Sequence, residues 1–125
     1  MDRKYVLTSL GYAIVGLLLG IYMAASQDHG QYVTHAHIML LGFVVSFVYA
    51  ALYRIWLNGY SSKLVSIQYL AHQVGTLVLL VGLFCLYGGL IAEEVLGPIM
   101  GVFSILVLLG MILMKVIFIK ASKSA

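Results

Sequence analysis

The sequence predicts an all-α fold, an integral membrane four-helix bundle, and three observations support this class. Of the 125 residues, 63% are hydrophobic and only 9% are charged, whereas soluble domains carry roughly 25% charged residues. The apolar residues form four runs separated by short polar links. Each run is close to the ~20 residues that a helix needs to cross the hydrocarbon core of a bilayer. We therefore expect a single membrane domain over residues 1–125.

The four spans are expected at residues 5–25, 35–53, 64–89 and 95–119. Transmembrane strands are only ~10 residues long and alternate polar with apolar side chains. These runs are longer and apolar on all sides, so strands do not fit them. A helix satisfies every backbone group within its own segment, and helices are therefore predicted for all four spans.

Two segments have the small-xxx-small spacing that lets helix backbones approach closely in lipid. They are "GLLLG" at residues 16–20 and "GPIMG" at residues 97–101. We expect a homo-oligomer, a dimer above all, and the first span is the better candidate for the subunit interface.

The charged residues predict the orientation in the membrane. All seven cations fall on one side of a four-span arrangement: Arg3, Lys4, Arg54, Lys63, Lys115, Lys120 and Lys123. The other side carries Asp28, His29, Glu93 and Glu94 and no lysine or arginine. The positive-inside rule then predicts cytoplasmic termini. Because topology accounts for the net charge of +3, no nucleic-acid partner is expected.

His72 is expected near the middle of the third span. It follows Lys63 by nine residues, which is roughly 13 Å along a helix. An ionisable side chain at that depth is functional by default, and Gln68, Gln73 and Thr76 offer hydrogen bonds close by. The alternatives are a neutral imidazole bonded to another helix, or a ligand of a metal or haem, or a member of a proton relay.

His35 and His37 begin the second span. In a helix, residues two apart point about 200° apart around the axis, so the two imidazoles face different surroundings while Met39 shares the face of His35. If the helix instead starts near His37, the segment "DHGQYVTHAH" is a loop that could close around copper or zinc. The metal-ligand candidates are then His29, His35, His37 and Met39, with His72 deeper in the membrane.

The segment "HAHIMLLGFVVSFVYAALYR", residues 35–54, resembles the second membrane helix of haem-copper oxidase and nitric oxide reductase catalytic subunits. It also resembles small four-span bacterial proteins described as oxidase subunit I-like. The resemblance implies a bacterial inner-membrane location, His35 as an axial ligand of a low-spin haem, and Arg54 as a partner of a haem propionate. Met39 and Phe43 depart from the usual asparagine and tryptophan of the small proteins, so hydrogen bonding beside the site is expected to differ.

Four spans cannot rebuild the oxygen-reducing centre of the large enzymes, so we do not expect a complete oxidase or reductase. The interpretation that four spans do allow is a haem b held between two histidines. The candidate cofactor-binding residues are His35, His37, His72 and Arg54. His37 and His72 would lie about 25 Å and 13 Å from the cytoplasmic edge. Two copies of His35 or His37 lie at equal depth in a two-fold dimer, which leaves His72 for a propionate, a quinol or a second haem.

Three functions follow from these observations. The first is a haem b protein for electron transfer or for haem or gas sensing, with a quinol or a redox protein as partner. The second is a copper or other transition-metal site at the outer face. The third is a structural or accessory membrane subunit whose histidines only bond other helices.

Overall fold

The structure is a computed structural model that describes residues 1–124, so Ala125 of the predicted domain lies outside the described residues. Within this range the fold is all-helical, and four helices are each long and apolar enough to cross a membrane. The predicted fold class is thus confirmed. The helices are α1, Asp2–Ser26; α2, Tyr32–Ile55; α3, Lys63–Tyr87; and α4, Glu93–Ser124.

The central part of α2 is a π-helix. Residues Tyr32–His37 are α-helical, Ile38–Val45 form the π-helical segment, and Ser46–Ile55 return to α geometry. Because the helix begins at Tyr32, both His35 and His37 are helical. The alternative that residues 28–37 form a loop is therefore wrong, since only residues 28–31 of this segment lie outside a helix. Wider π turns are rare and occur frequently at functional sites.

The chain folds back on itself three times, so the bundle has two chemically different ends. We call the end with both termini and the 56–62 link the basic end, since the lysines and arginines lie toward it. We call the other end, with the 27–31 and 88–92 links, the histidine end. Gly89 in the second of these links has a φ of +68°, which a glycine adopts without a steric penalty.

The helices pair as α1 with α2 and α3 with α4, which are the most extensive contacts in the bundle. At the basic end the two pairs meet in a core of eight buried side chains: Tyr5, Tyr49, Ala50, Tyr53, Leu57, Val65, Met114 and Ile117. At the histidine end a smaller cluster contains Ile38, Leu80 and Leu83. The larger core therefore joins all four helices.

The "GLLLG" segment packs against α2 within the chain, and the expectation that the first span forms a subunit interface stays a prediction. A Cβ at Gly16 would collide with the sulfur of Met39, and one at Gly20 would lie 3.0 Å from Cε1 of His35. The two glycines let α1 approach α2, as small residues do in membrane bundles. In contrast, a Cβ at Gly97 or Gly101 meets no described atom within 4 Å.

Candidate functional site

His72 lies fully buried between the two helix pairs, with no exposed surface. Its Nε2 is 2.9 Å from the hydroxyl oxygen of Ser46 on α2, and its Nδ1 is 3.5 Å from that of Thr76 one turn along α3. The ring of Tyr49 meets the imidazole edge-on, with centroids 5.0 Å apart. Both ring nitrogens of His72 therefore already have hydrogen-bond partners inside the protein.

Gln68 is the centre of the second buried polar group, one turn before His72 on α3. Its Oε1 accepts hydrogen bonds from the hydroxyls of Tyr5, at 2.5 Å, and Tyr53, at 3.1 Å. Its amide nitrogen donates to the carbonyl of Gly110 on α4, at 3.2 Å. One glutamine side chain thus bonds to the three other helices. Such bonds hold membrane helices together when no solvent is present to replace them.

His35 lies against α1 and is half-buried. Its Nδ1 is 2.7 Å from the carbonyl oxygen of Gly16, and its ring packs over Gly20. A carbonyl can only accept a hydrogen bond, so Nδ1 carries a hydrogen, and in the neutral imidazole the free lone pair is on Nε2. Met39 packs against α1 beside it, which confirms that these two side chains share a face of α2.

His37 points away from the bundle and is exposed, as the expected angle between it and His35 requires. Its Nδ1 is 2.8 Å from the carbonyl oxygen of Val33, one turn earlier in α2. In its neutral form the imidazole then has its lone pair on Nε2, which is available on the surface. Metal-ligating histidines commonly have their second ring nitrogen fixed in this way. Exposed apolar side chains, Leu40 and Val44, lie further along α2.

The remaining candidate ligands are dispersed. His29 is exposed in the 27–31 link. Arg54 is at the basic end, where its guanidinium lies 3.6 Å from the carboxylate of Asp2 and is 72% exposed. Seventeen residues separate it from His37, which is roughly 25 Å of helix. Among residues 1–124, no three His, Cys, Asp or Glu side chains converge as they would around a metal ion.

Sequence reasoning singled out His72 and Gln68 but missed their partners on the other helices. Ser46, Tyr5 and Tyr53 are buried, yet serine and tyrosine are common in membrane helices and their orientation is not readable from one span. In the structure Thr34, Ile38, Gly42 and Ser46 are all buried on the face of α2 that meets the other helices. In regular α geometry Thr34 and Ser46 would point about 120° apart, so this face was not readable from the sequence.

The fold and the site define a class: a four-helix membrane-type bundle with a bonded histidine in its core and two histidines of fixed tautomer at one end. No protein-family model, no curated protein and no solved structure matches the chain.

Proposed function

We propose that this chain is a haem b-binding protein of the bacterial inner membrane, with His37 as an axial ligand. The observation that carries the proposal is the hydrogen bond from His37 Nδ1 to the Val33 carbonyl, at 2.8 Å. In the neutral imidazole this bond places the lone pair on the exposed Nε2, which is the tautomer that can ligate iron. Exposed Leu40 and Val44 on the same helix offer an apolar surface for a macrocycle.

The second axial position is assigned to His37 of a second copy. A two-fold axis along the membrane normal brings identical residues to equal depth. Within one chain, His35 packs against α1 on a different face of α2, and His72 is buried with both of its ring nitrogens bonded. In this proposal His72 stabilises the bundle, while Arg54 pairs with Asp2 at the other end. A bound haem b supplies reversible one-electron transfer, so electron transfer or sensing fits better than catalysis.

Both termini are assigned to the cytoplasm, since all lysines and arginines lie toward the basic end. The haem would then lie near the opposite face of the membrane, at the level of the first turns of α2. If the chain is instead a purely structural or accessory subunit, the purified protein should be colourless.

The test is the visible spectrum of the detergent-purified protein, oxidised and dithionite-reduced, after expression with added haem precursor. We expect a Soret band with sharp reduced α and β bands at one haem per two chains, and loss of these bands in His37→Ala. His29→Ala is the matched control, since His29 is also exposed at the same end. Retention of the full spectrum in His37→Ala, or a colourless wild-type protein, would contradict the proposal.

Copper is the second candidate, and one observation favours it. His35 and Met39 both pack at Gly16 of α1, so an imidazole and a thioether, both ligands of copper(I), lie on one face. Elemental analysis of the purified protein tests it. Copper that disappears in Met39→Leu and His35→Ala but persists in His37→Ala would favour copper over haem.

A further inference from the structure

A groove runs along the side of the bundle at the histidine end, between α1, α2 and α3. Its inner part has a volume of about 290 Å³, and its exposed lining is entirely apolar, with Val15, Ile38 and Leu80 among its walls. Its outer part, of about 490 Å³, includes the 27–31 link and adds polar side chains. Leu19 and Phe84 line both parts. The two parts therefore adjoin at these two side chains, and we treat them together as one groove.

The length of this groove matches one leaflet of a bilayer. It follows α1 from Tyr12 in its inner part to Tyr22 in its outer part. Ten residues of α-helix rise about 15 Å, which is half of the ~30 Å hydrocarbon core. The groove is thus apolar from the bilayer centre outward and polar where the head groups begin. This is the order of groups in a phospholipid with its acyl chain pointing inward.

The polar mouth of the groove carries a negative charge that can distinguish between lipid head groups. Asp28 lies there, and its Oδ1 accepts the backbone N–H of Gly30 at 3.0 Å. The links at this end contain no lysine or arginine, so an anionic head group meets no cation. A primary ammonium, in contrast, can donate charge-assisted hydrogen bonds to the Asp28 carboxylate.

The floor of the mouth is held in place by Gln31. Its amide nitrogen donates to the carbonyl oxygen of Phe84 at 2.9 Å, and its Oε1 accepts from the hydroxyl of Thr34 at 2.7 Å. The first bond joins the start of α2 to the last turn of α3, and the second fixes the Gln31 side chain on α2, so the groove exists before any lipid enters it. Gln31 is already bonded, and the tyrosines of the lining, Tyr22 and Tyr87, are uncharged, so Asp28 is the residue whose charge can distinguish one head group from another.

We propose that this groove binds one phosphatidylethanolamine molecule from the leaflet at the histidine end. Its ammonium group contacts Asp28, and one acyl chain lies along the apolar inner part between α1 and α3. This lipid site is separate from the proposed haem ligand, because His37 does not line the groove.

The experiment is native mass spectrometry of the detergent-purified full chain, titrated with phosphatidylethanolamine, phosphatidylcholine or phosphatidylglycerol of identical acyl chains. We expect the first phosphatidylethanolamine to bind at least tenfold more tightly than either of the other lipids. Asp28→Asn should remove this preference. Val15→Trp should fill the groove and weaken the first binding event at least tenfold. Leu17→Trp is the matched control, since Val15 and Leu17 are 55% and 56% exposed on the same helix and Leu17 lies outside the groove.

Equal affinity for the three lipids in the wild-type protein would overturn the proposal, and so would an unchanged preference in Asp28→Asn. Equal binding by Val15→Trp and Leu17→Trp would show that the lipids only cover the general surface, which also overturns it. Asp28 lies in a link, so its variant reports on the site even if Val15→Trp fails to fold. Lipid binding is measured by mass and haem binding by visible absorption, so this proposal and the haem proposal can fail independently.

Discussion

Nε2 of His72 on α3 lies 2.9 Å from Oγ of Ser46 on α2, and this hydrogen bond joins the two helix pairs at a point with no access to solvent. Both residues have no exposed surface. A buried imidazole without a partner is costly. The bond therefore explains why a histidine is tolerated at this depth.

We expect Ser46→Ala to lower the free energy of unfolding by about 1–2 kcal/mol, because it leaves a nitrogen of His72 without a partner. Ser104→Ala is the matched control: Ser104 is exposed and bonds only the Gly101 carbonyl of its own helix. Thermal denaturation in detergent, calibrated against a reversible unfolding assay, measures both. Equal stability of the two variants would show that the bond to His72 contributes little.

The tyrosine pair at Gln68 predicts a non-additive effect. Tyr5 and Tyr53 donate to the same oxygen, so Tyr5→Phe or Tyr53→Phe alone leaves that oxygen with one donor and should cost about 1 kcal/mol. The double variant leaves it with none and should cost at least ~0.5 kcal/mol more than the sum of the two. Tyr22→Phe, at an exposed position, should change nothing. Strict additivity in this cycle argues against a shared acceptor.

Any side chain at Gly42 is predicted to destabilise the packing of α2 on α1. An added Cβ would lie 2.7–2.9 Å from three atoms of Tyr12, too close for any side chain, so Gly42→Ala should destabilise the bundle by about 1–3 kcal/mol through overpacking. Gly101→Ala is the control, since its Cβ meets no described atom within 4 Å and alanine favours the helix. Unfolding measurements that rank the two variants the other way would contradict the packing of α1 on α2.

The orientation of the bundle is testable by cysteine labelling in a Cys85→Ser background. Asn58→Cys lies in the 56–62 link at the basic end, and Ala92→Cys lies in the link before α4. With the termini in the cytoplasm, a membrane-impermeant maleimide should label Ala92→Cys in intact cells and Asn58→Cys only after permeabilisation. The opposite pattern would reverse the topology that the positive charges predict.

The sequence was sufficient to predict the number of helices, the class of the fold and the different directions of His35 and His37. These follow from the length of the apolar runs and from the 100° turn per residue. The sequence was not sufficient to predict the π-helix. In α geometry a spacing of four residues turns the face by about 40° at each step, which would rotate Ser46 roughly 120° from Thr34. The wider π turns keep both side chains buried on one face.

The two GxxxG segments illustrate a different limit. Small residues indicate that a second backbone can approach, but they carry no information on which backbone it is. Gly16 and Gly20 contact α2 of the same chain, whereas Gly97 and Gly101 have no described neighbour near their missing Cβ atoms. The partners of His72 were not predictable for the same reason, since they come from other helices.

The pairing of α1 with α2 and of α3 with α4 has a consequence for biosynthesis. Each pair is a helical hairpin of two spans, and the bonds from Ser46 to His72, from Tyr5 to Gln68 and from Tyr12 to Gln73 form only between the two hairpins. A gene divided in the 56–62 link should therefore yield two fragments that are unstable alone and recombine when they are made together. In lipid, the hydroxyl, amide and imidazole groups that each fragment exposes would form hydrogen bonds with those of the other fragment.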